Sequence, residues 1–392
     1  MFFREVIGQS LIKNQLIRSV AENRVSHALL FLGPEGCGNL AMALAFAQYV
    51  NCEDKQDITL DDGTTSADSC GKCPSCIKTK KLIHPDLHFT FPFIKDDDHE
   101  LCADWMPEWR VFAEETPYAN YNYWINSLTE TNKQGNITSK ECQDILRRLS
   151  LKNYEGIYKI QILWLPEYLR EEGNRLLKLL EEPPDNTLFI LVAHDAERII
   201  NTILSRVQIV KFPRLPDADV AHYLQEVWEV APNAATSLAA LAGGNLQEAI
   251  DLIDAHENAN TVMIREWMEP CFRQHVKQLF AWNDQFLKLS REQQKNFFRY
   301  CLHFFREVLL LETGAPQLTR LTEAERRTAE GLGKVLGVER LMAMLELFDK
   351  CIYFVERNVN GKIMMSYVSV VLLRQFNKQI QTTQPFYDRW AL

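Results

Sequence analysis

His27 to Val50 reads HALLFLGPEGCGNLAMALAFAQYV: an apolar run over 27–32, a glycine-rich turn, and a helix pattern expected over about 39–51. An apolar run of strand length that passes through glycines into a helix is the opening of a parallel α/β unit. The turn has the spacing of a phosphate-cradling loop, G-x-x-x-x-G-K-[ST], running from Gly33 to Gly38. Asn39 stands where the lysine belongs and Leu40 where the hydroxyl belongs, so the frame of the motif is kept without its gripping groups.

Outward from this stretch, YKIQILWL (158–165) and TLFILVAH (187–194) are continuous apolar runs, the pattern of strands covered on both faces. Between them EEGNRLLKLLEE reads as a helix that must stop at Pro183-Pro184, because proline has no amide hydrogen to continue it. VQIVKF (207–212) is a further short strand. Four buried strands with intervening helices predict a doubly wound parallel sheet over residues 1–213, preceded by a helix with apolar spacing over 5–23. After PRLPDAD the period is helical almost throughout, giving a small helical domain at about 214–256 and a larger all-α domain at about 260–392.

Bulk properties fit this division. A chain of 392 residues exceeds one ordinary core, and 46% hydrophobic with 24% charged residues is ordinary globular composition. A net charge of −9 argues against the whole chain clamping nucleic acid, since phosphate contacts need Lys and Arg, though a local basic patch is compatible with it. The first twenty residues carry charges inside their apolar pattern, unlike a signal peptide, and no apolar run reaches the roughly 18–20 residues of a membrane span. The chain is therefore expected to be soluble and cytoplasmic. The segment from about 94 to 140, acidic and then rich in Trp and Tyr, reads as an insertion in the α/β domain whose rings form a local core rather than a base-stacking platform.

Cys70, Cys73 and Cys76 form a C-x₂-C-x₂-C run, with Cys52 upstream beyond a polar loop, placing a metal module at about 52–76. Four thiolates satisfy the closed tetrahedral shell of structural Zn²⁺, although iron–sulfur clusters use similar runs. His84 and His88 are alternative fourth ligands; Cys52 is preferred because a Cys₄ site needs no nitrogen donor. The scattered cysteines, including Cys37, Cys102 and Cys351, read as small core residues.

A working phosphate-loop ATPase also needs an acidic pair at the end of a neighbouring strand. After KIQIL the chain has Trp164 and Leu165 at those positions, and Glu167 comes too late to replace them. Losing the lysine, the hydroxyl and the acidic pair removes charge-assisted contacts of roughly 1.5–3 kcal/mol each. No ATP of its own is expected at this loop, though its amides could still hold an anion.

RVSHALLFLGPEGCG, CGKCPSC followed by HPDLHF, NRLLKLLEEPPDNTLFIL, and ERIINTILSRVQIVKF, in that order, resemble the delta-prime family of bacterial DNA polymerase III clamp-loader subunits. The likeness is strong over residues 1 to about 213; beyond it, GGNLQEAI and RNVNGKIMM are weakly similar to family segments. The resemblance implies an AAA+ module with a zinc insertion, a helical lid at 214–256 and an oligomerising collar at 260–392. It also implies a subunit of the DNA polymerase III holoenzyme that hydrolyses no ATP but completes a neighbour's site. The family's Ser-Arg-Cys motif falls on Ser205-Arg206-Val207, making Arg206 the candidate trans-acting arginine finger. The implied partners are gamma/tau-like ATPase and delta-like subunits, the sliding clamp, and primer-template DNA through the complex. Gln247 and Glu248 stand where the family's sensor arginine would fall, again disfavouring ATP use. An active ATPase subunit of the same loader and a zinc-dependent DNA-binding module are the competing readings.

Overall fold

The computed structural model of the chain describes residues 1–59, 65–96, 98–129, 134–255, 259–289, 291–315, 319, 321, 323–357 and 359–376. It divides into two compact units, Met1–Glu229 with Ala242–Ala249, and Val230–Leu241 with the chain from Ile250 onward.

In the first unit, α1 (Ser10–Ala21) buries Ile12, Leu16 and Ile17 on one face and leads into β1 (Ala28–Leu32). Helix α2 (Asn39–Val50) follows the glycine turn and is buried at every residue, which its alternation of Ala with larger apolar side chains permits. The hairpin β2 (Gln56–Thr59) and β3 (Thr65–Asp68) then leads to α3 (Pro74–Lys80). Next come β4 (Leu87–Thr90), α4 (Met106–Glu115), α5 (Tyr121–Leu128) and α6 (Ser139–Ser150). The unit continues through β5 (Lys159–Trp164), α7 (Leu177–Glu181), β6 (Thr187–Ala193), α8 (Asn201–Leu204), β7 (Gln208–Lys211) and α9 (Asp217–Trp228).

The sheet has five strands in the order β4-β5-β6-β1-β7, all pairings parallel. Strands β5 and β6 are buried along their whole length, as their unbroken apolar runs require. Three expectations need correction. A fifth strand, β4, forms one edge from only four residues, too few for a periodic signal. At the other edge, β7 pairs with β1 alone and is exposed at three of its four positions, so it is not a buried strand. The helix expected over 171–182 is also subdivided: Arg170–Leu176 winds as 3₁₀ before α7 begins. Gly173 weakens helix propensity there, and an added Cβ would stand 2.9 Å from Ile203.

The rings of the 94–140 segment do form a core. Trp109 stacks on Phe91 at 4.1 Å and meets Trp124 edge to face at 5.4 Å, and both indoles are fully buried. The cluster continues onto Trp164 at the end of β5.

Between α9 and the larger helices lie α10 (Pro232–Ala242) and α11 (Leu246–Ala255). The second unit contains α12 (Ala259–Arg273), α13 (Val276–Phe286), α14 (Arg291–Glu312), α15 (Glu323–Glu356, broken at Gly337) and α16 (Gly361–Phe376). Its core centres on Trp267 stacked on Trp282 at 4.9 Å, with Phe286, Phe297 and Phe298 around them. Among the described residues no helix is long and apolar enough to cross a membrane.

Candidate functional site

The phosphate-loop frame is intact as backbone. Gly36 and Gly38 adopt φ of +73° and +86°, the left-handed region that glycine enters without a Cβ penalty, and Gly38 caps α2. The Gly33 amide donates to the Ala193 carbonyl at 3.1 Å, tying the loop to the end of β6. At the lysine position the side chain is turned to protein. Asn39, 3% exposed, donates its amide to the same Ala193 carbonyl at 3.0 Å and accepts from the Leu40 amide at 3.0 Å. Leu40 is buried as well, 1% exposed.

The face over the turn is covered as well. A Cβ on Gly38 would lie 2.7 Å from the Tyr118 ring, and one on Gly36 would lie 1.8 Å from Asn245 Oδ1. Tyr118 accepts a hydrogen bond from the Ile7 amide at 2.9 Å, and Asn120 from the same segment donates to Glu35 at 3.0 Å. Asn245 caps α11 by accepting from the Glu248 amide at 3.2 Å, while the Leu246 amide donates to Gly36 at 3.2 Å. Burial pushes the Cys37 thiol, inside the turn, up to about 12. Glycines that would let a phosphate approach the backbone instead let Tyr118 and Asn245 do so.

At the neighbouring strand end, Trp164 and Leu165 are 1% and 2% exposed and offer no ligand to a metal. Trp164 packs against Trp109 and Phe112. Glu167 is buried too, but its Oε1 accepts from the His194 and Asp195 amides at 2.6 and 2.9 Å, bracing the chain after β6. Burial lowers the pKa of His194 beside it.

Cys52, Cys70, Cys73 and Cys76 are brought together, their four sulfurs all within 4.8 Å of one another. Tetrahedral zinc with Zn–S of about 2.3 Å sets neighbouring sulfurs roughly 3.8 Å apart, and Cys70 and Cys76 stand at 4.0 Å. Cys70 receives the amides of Lys72 and Cys73 at 3.4 and 3.3 Å, Cys52 that of Cys70 at 3.3 Å, and Cys73, capping α3, that of Cys76 at 3.4 Å. Burial opposes ionisation of Cys70, but the amide donors outweigh it and bring its pKa down to about 7. Burial raises the thiols of Cys52 and Cys76. The donor set, its amide bonds and its spacing fit a structural zinc ion. His84 is not in the group; its Nδ1 accepts from the Asp86 amide at 3.1 Å, and His88 is likewise outside it. Asp68 ties the module to the start of the chain by accepting from the Phe3 and Arg4 amides, each at 3.2 Å.

Arg206 lies just beyond α8. Its Nε donates to Glu181 at 2.6 Å, its Nη2 reaches the same carboxylate, and its Nη1 donates to the Thr202 carbonyl at 2.8 Å and to Ser205 Oγ at 3.1 Å. Arg206 remains 30% exposed and Glu181 48%. A guanidinium held this way is ordered yet accessible to a large anion. Sequence reasoning missed Tyr118, Asn245 and Glu181. Only Asn245 carried a local signal, a helix N-cap with glutamate three residues on.

Residues 8–216, just over half of the chain, match the protein family described as "DNA polymerase III, delta subunit". The chain is 25% identical over 309 residues to DNA polymerase III subunit delta' of Bacillus subtilis, covering 78% of each. It is 23% identical over 411 aligned positions to subunit tau of the same organism, covering 98% of this chain but spanning only 64% of tau. A crystal structure of a DNA polymerase III gamma subunit-related protein from Thermotoga maritima aligns with 93% of this chain and all of its own, at 12% identity and a TM-score of 0.37, too loose to carry an argument.

Proposed function

This chain belongs to the DNA polymerase III delta subunit family, and from that premise we propose that it is a clamp-loader subunit that hydrolyses no ATP itself and supplies Arg206 to a neighbour's ATP site. The observation that carries this reading is the packing of the phosphate loop: Asn39, at the lysine position, is buried and bonded to Ala193, while Tyr118 and Asn245 lie close against Gly38 and Gly36. It favours a delta'-like role over an active tau-like ATPase, since the lysine, hydroxyl and acidic pair are absent as well.

In this reading residues 1–213 are an AAA+ module, 214–256 a lid and 260–392 a collar that joins a hetero-oligomeric ring. Ser205 and Thr202 orient Arg206, whose guanidinium meets charge on the γ-phosphate bound next door. The ring then opens the sliding clamp onto primer-template DNA during replication. Cys52, Cys70, Cys73 and Cys76 would hold zinc, which supplies a structural staple with no open position for chemistry. The test is reconstitution with the gamma/tau-type ATPase and delta-type partners. Arg206→Ala should depress DNA-stimulated ATP hydrolysis, and an unchanged rate sinks the proposal. Tight Mg·ATP binding by the isolated chain would favour the active-ATPase reading instead.

A further inference from the structure

Arg206 is already neutralised within its own chain. Its carboxylate partner closes α7, immediately before Glu182 and Pro183, where the proline stops the helix. A carboxylate at a helix C-terminus gains nothing from the helix dipole, so Glu181 is not there to stabilise α7. The arginine is held from two sides that differ in kind. Thr202 and Ser205, on the same turn, fix the direction of Nη1 with neutral acceptors, while Glu181 takes Nε and Nη2 and cancels the charge.

We propose that Glu181 is a counter-ion gate for Arg206: it masks the guanidinium until the triphosphate of a neighbouring subunit displaces it. The inference rests on the finger reading above and adds a residue that tunes it. An exposed pair of this kind shifts an equilibrium by up to about fivefold, so a polyanion with several oxygens can win the exchange. Because the neutral acceptors keep the arginine oriented, removing the carboxylate frees the charge without scattering the side chain. Glu181 thus acts through Arg206 and touches no substrate.

The test compares wild type, Glu181→Gln and Arg206→Ala in the reconstituted loader. With Glu181→Gln, the KM for ATP should fall about two- to fivefold with kcat unchanged, the shift shrinking as salt rises because exposed charges are screened. In the isolated full chain, the Arg206 Nε–H should exchange slowly in wild type and rapidly in Glu181→Gln, with the melting temperature unmoved. If Arg206→Ala lowers the rate but Glu181→Gln leaves KM unaltered, or lowers kcat, the gate is wrong and the finger stands. If Arg206→Ala has no effect, the finger reading fails and the gate with it.

Discussion

The phosphate loop and the Arg206 corner belong to one compact unit and have been treated in opposite ways. In the loop, Asn39 bonds to the Ala193 carbonyl, and Tyr118 and Asn245 lie close against Gly38 and Gly36. At the corner the charged group stays partly exposed, held by the Glu181 carboxylate and by Thr202 and Ser205. The difference teaches how a polar group packed into the interior differs from a charge left at the surface. Packing that fills a site is cooperative and hard to reverse, whereas an exposed ion pair contributes only about 0–1 kcal/mol and is easily exchanged.

The strongest way to break this comparison is at the corner. Arg206→Ala should cost about 10³-fold in hydrolysis at the site it serves, and Arg206→Lys should not rescue it, since lysine lacks the planar fork. Single-turnover kinetics of the assembled loader reads this directly. Next comes the loop. Asn39→Lys with Leu40→Thr should leave Mg·ATP binding undetectable by calorimetry, because Tyr118 and Asn245 still occupy the space. Binding that appears in this double variant would show the loop to be open. Tyr118→Ala should destabilise the chain by about 3 kcal/mol, as for other large buried side chains, measured by urea unfolding.

The cysteine module offers a third case, four thiols gathered within 4.8 Å of one another where an ion would fit. One equivalent of zinc by elemental analysis, lost in Cys73→Ser, is the expected outcome, and an iron–sulfur absorption band would overturn it. The smallest effect sharpens the role of Asn245 as a cap. Asn245→Ala should cost about 1 kcal/mol in thermal or urea unfolding, whereas Asn245→Asp, which keeps the accepting oxygen, should cost less.

Much of the α/β unit was legible because its signals are local. The strands β1, β5 and β6 are unbroken apolar runs, and the glycine turn announces the chain reversal into α2. Strand β4 escaped because LHFT is four residues with a histidine inside, held in place by pairing with β5 rather than by its own pattern. Strand β7 was read as buried from its apolar composition, but edge position is decided by topology. The cysteine run identified itself by spacing, and the fold added the proximity of Cys52.

By itself the sequence determined which chemistry is missing: no lysine at 39, no hydroxyl at 40, no carboxylate at 164 or 165. It also determined where an arginine motif and a thiolate cluster lie, since residue type and spacing are properties of the chain alone. Only the tertiary structure decided what packs against the loop and the arginine. Tyr118, Asn245 and Glu181 are distant in sequence from Gly38, Gly36 and Arg206, and they meet only because the sheet and its helices bring those segments together. A short-range pattern cannot encode such meetings, because each depends on the packing of elements whose own patterns say nothing of their partners.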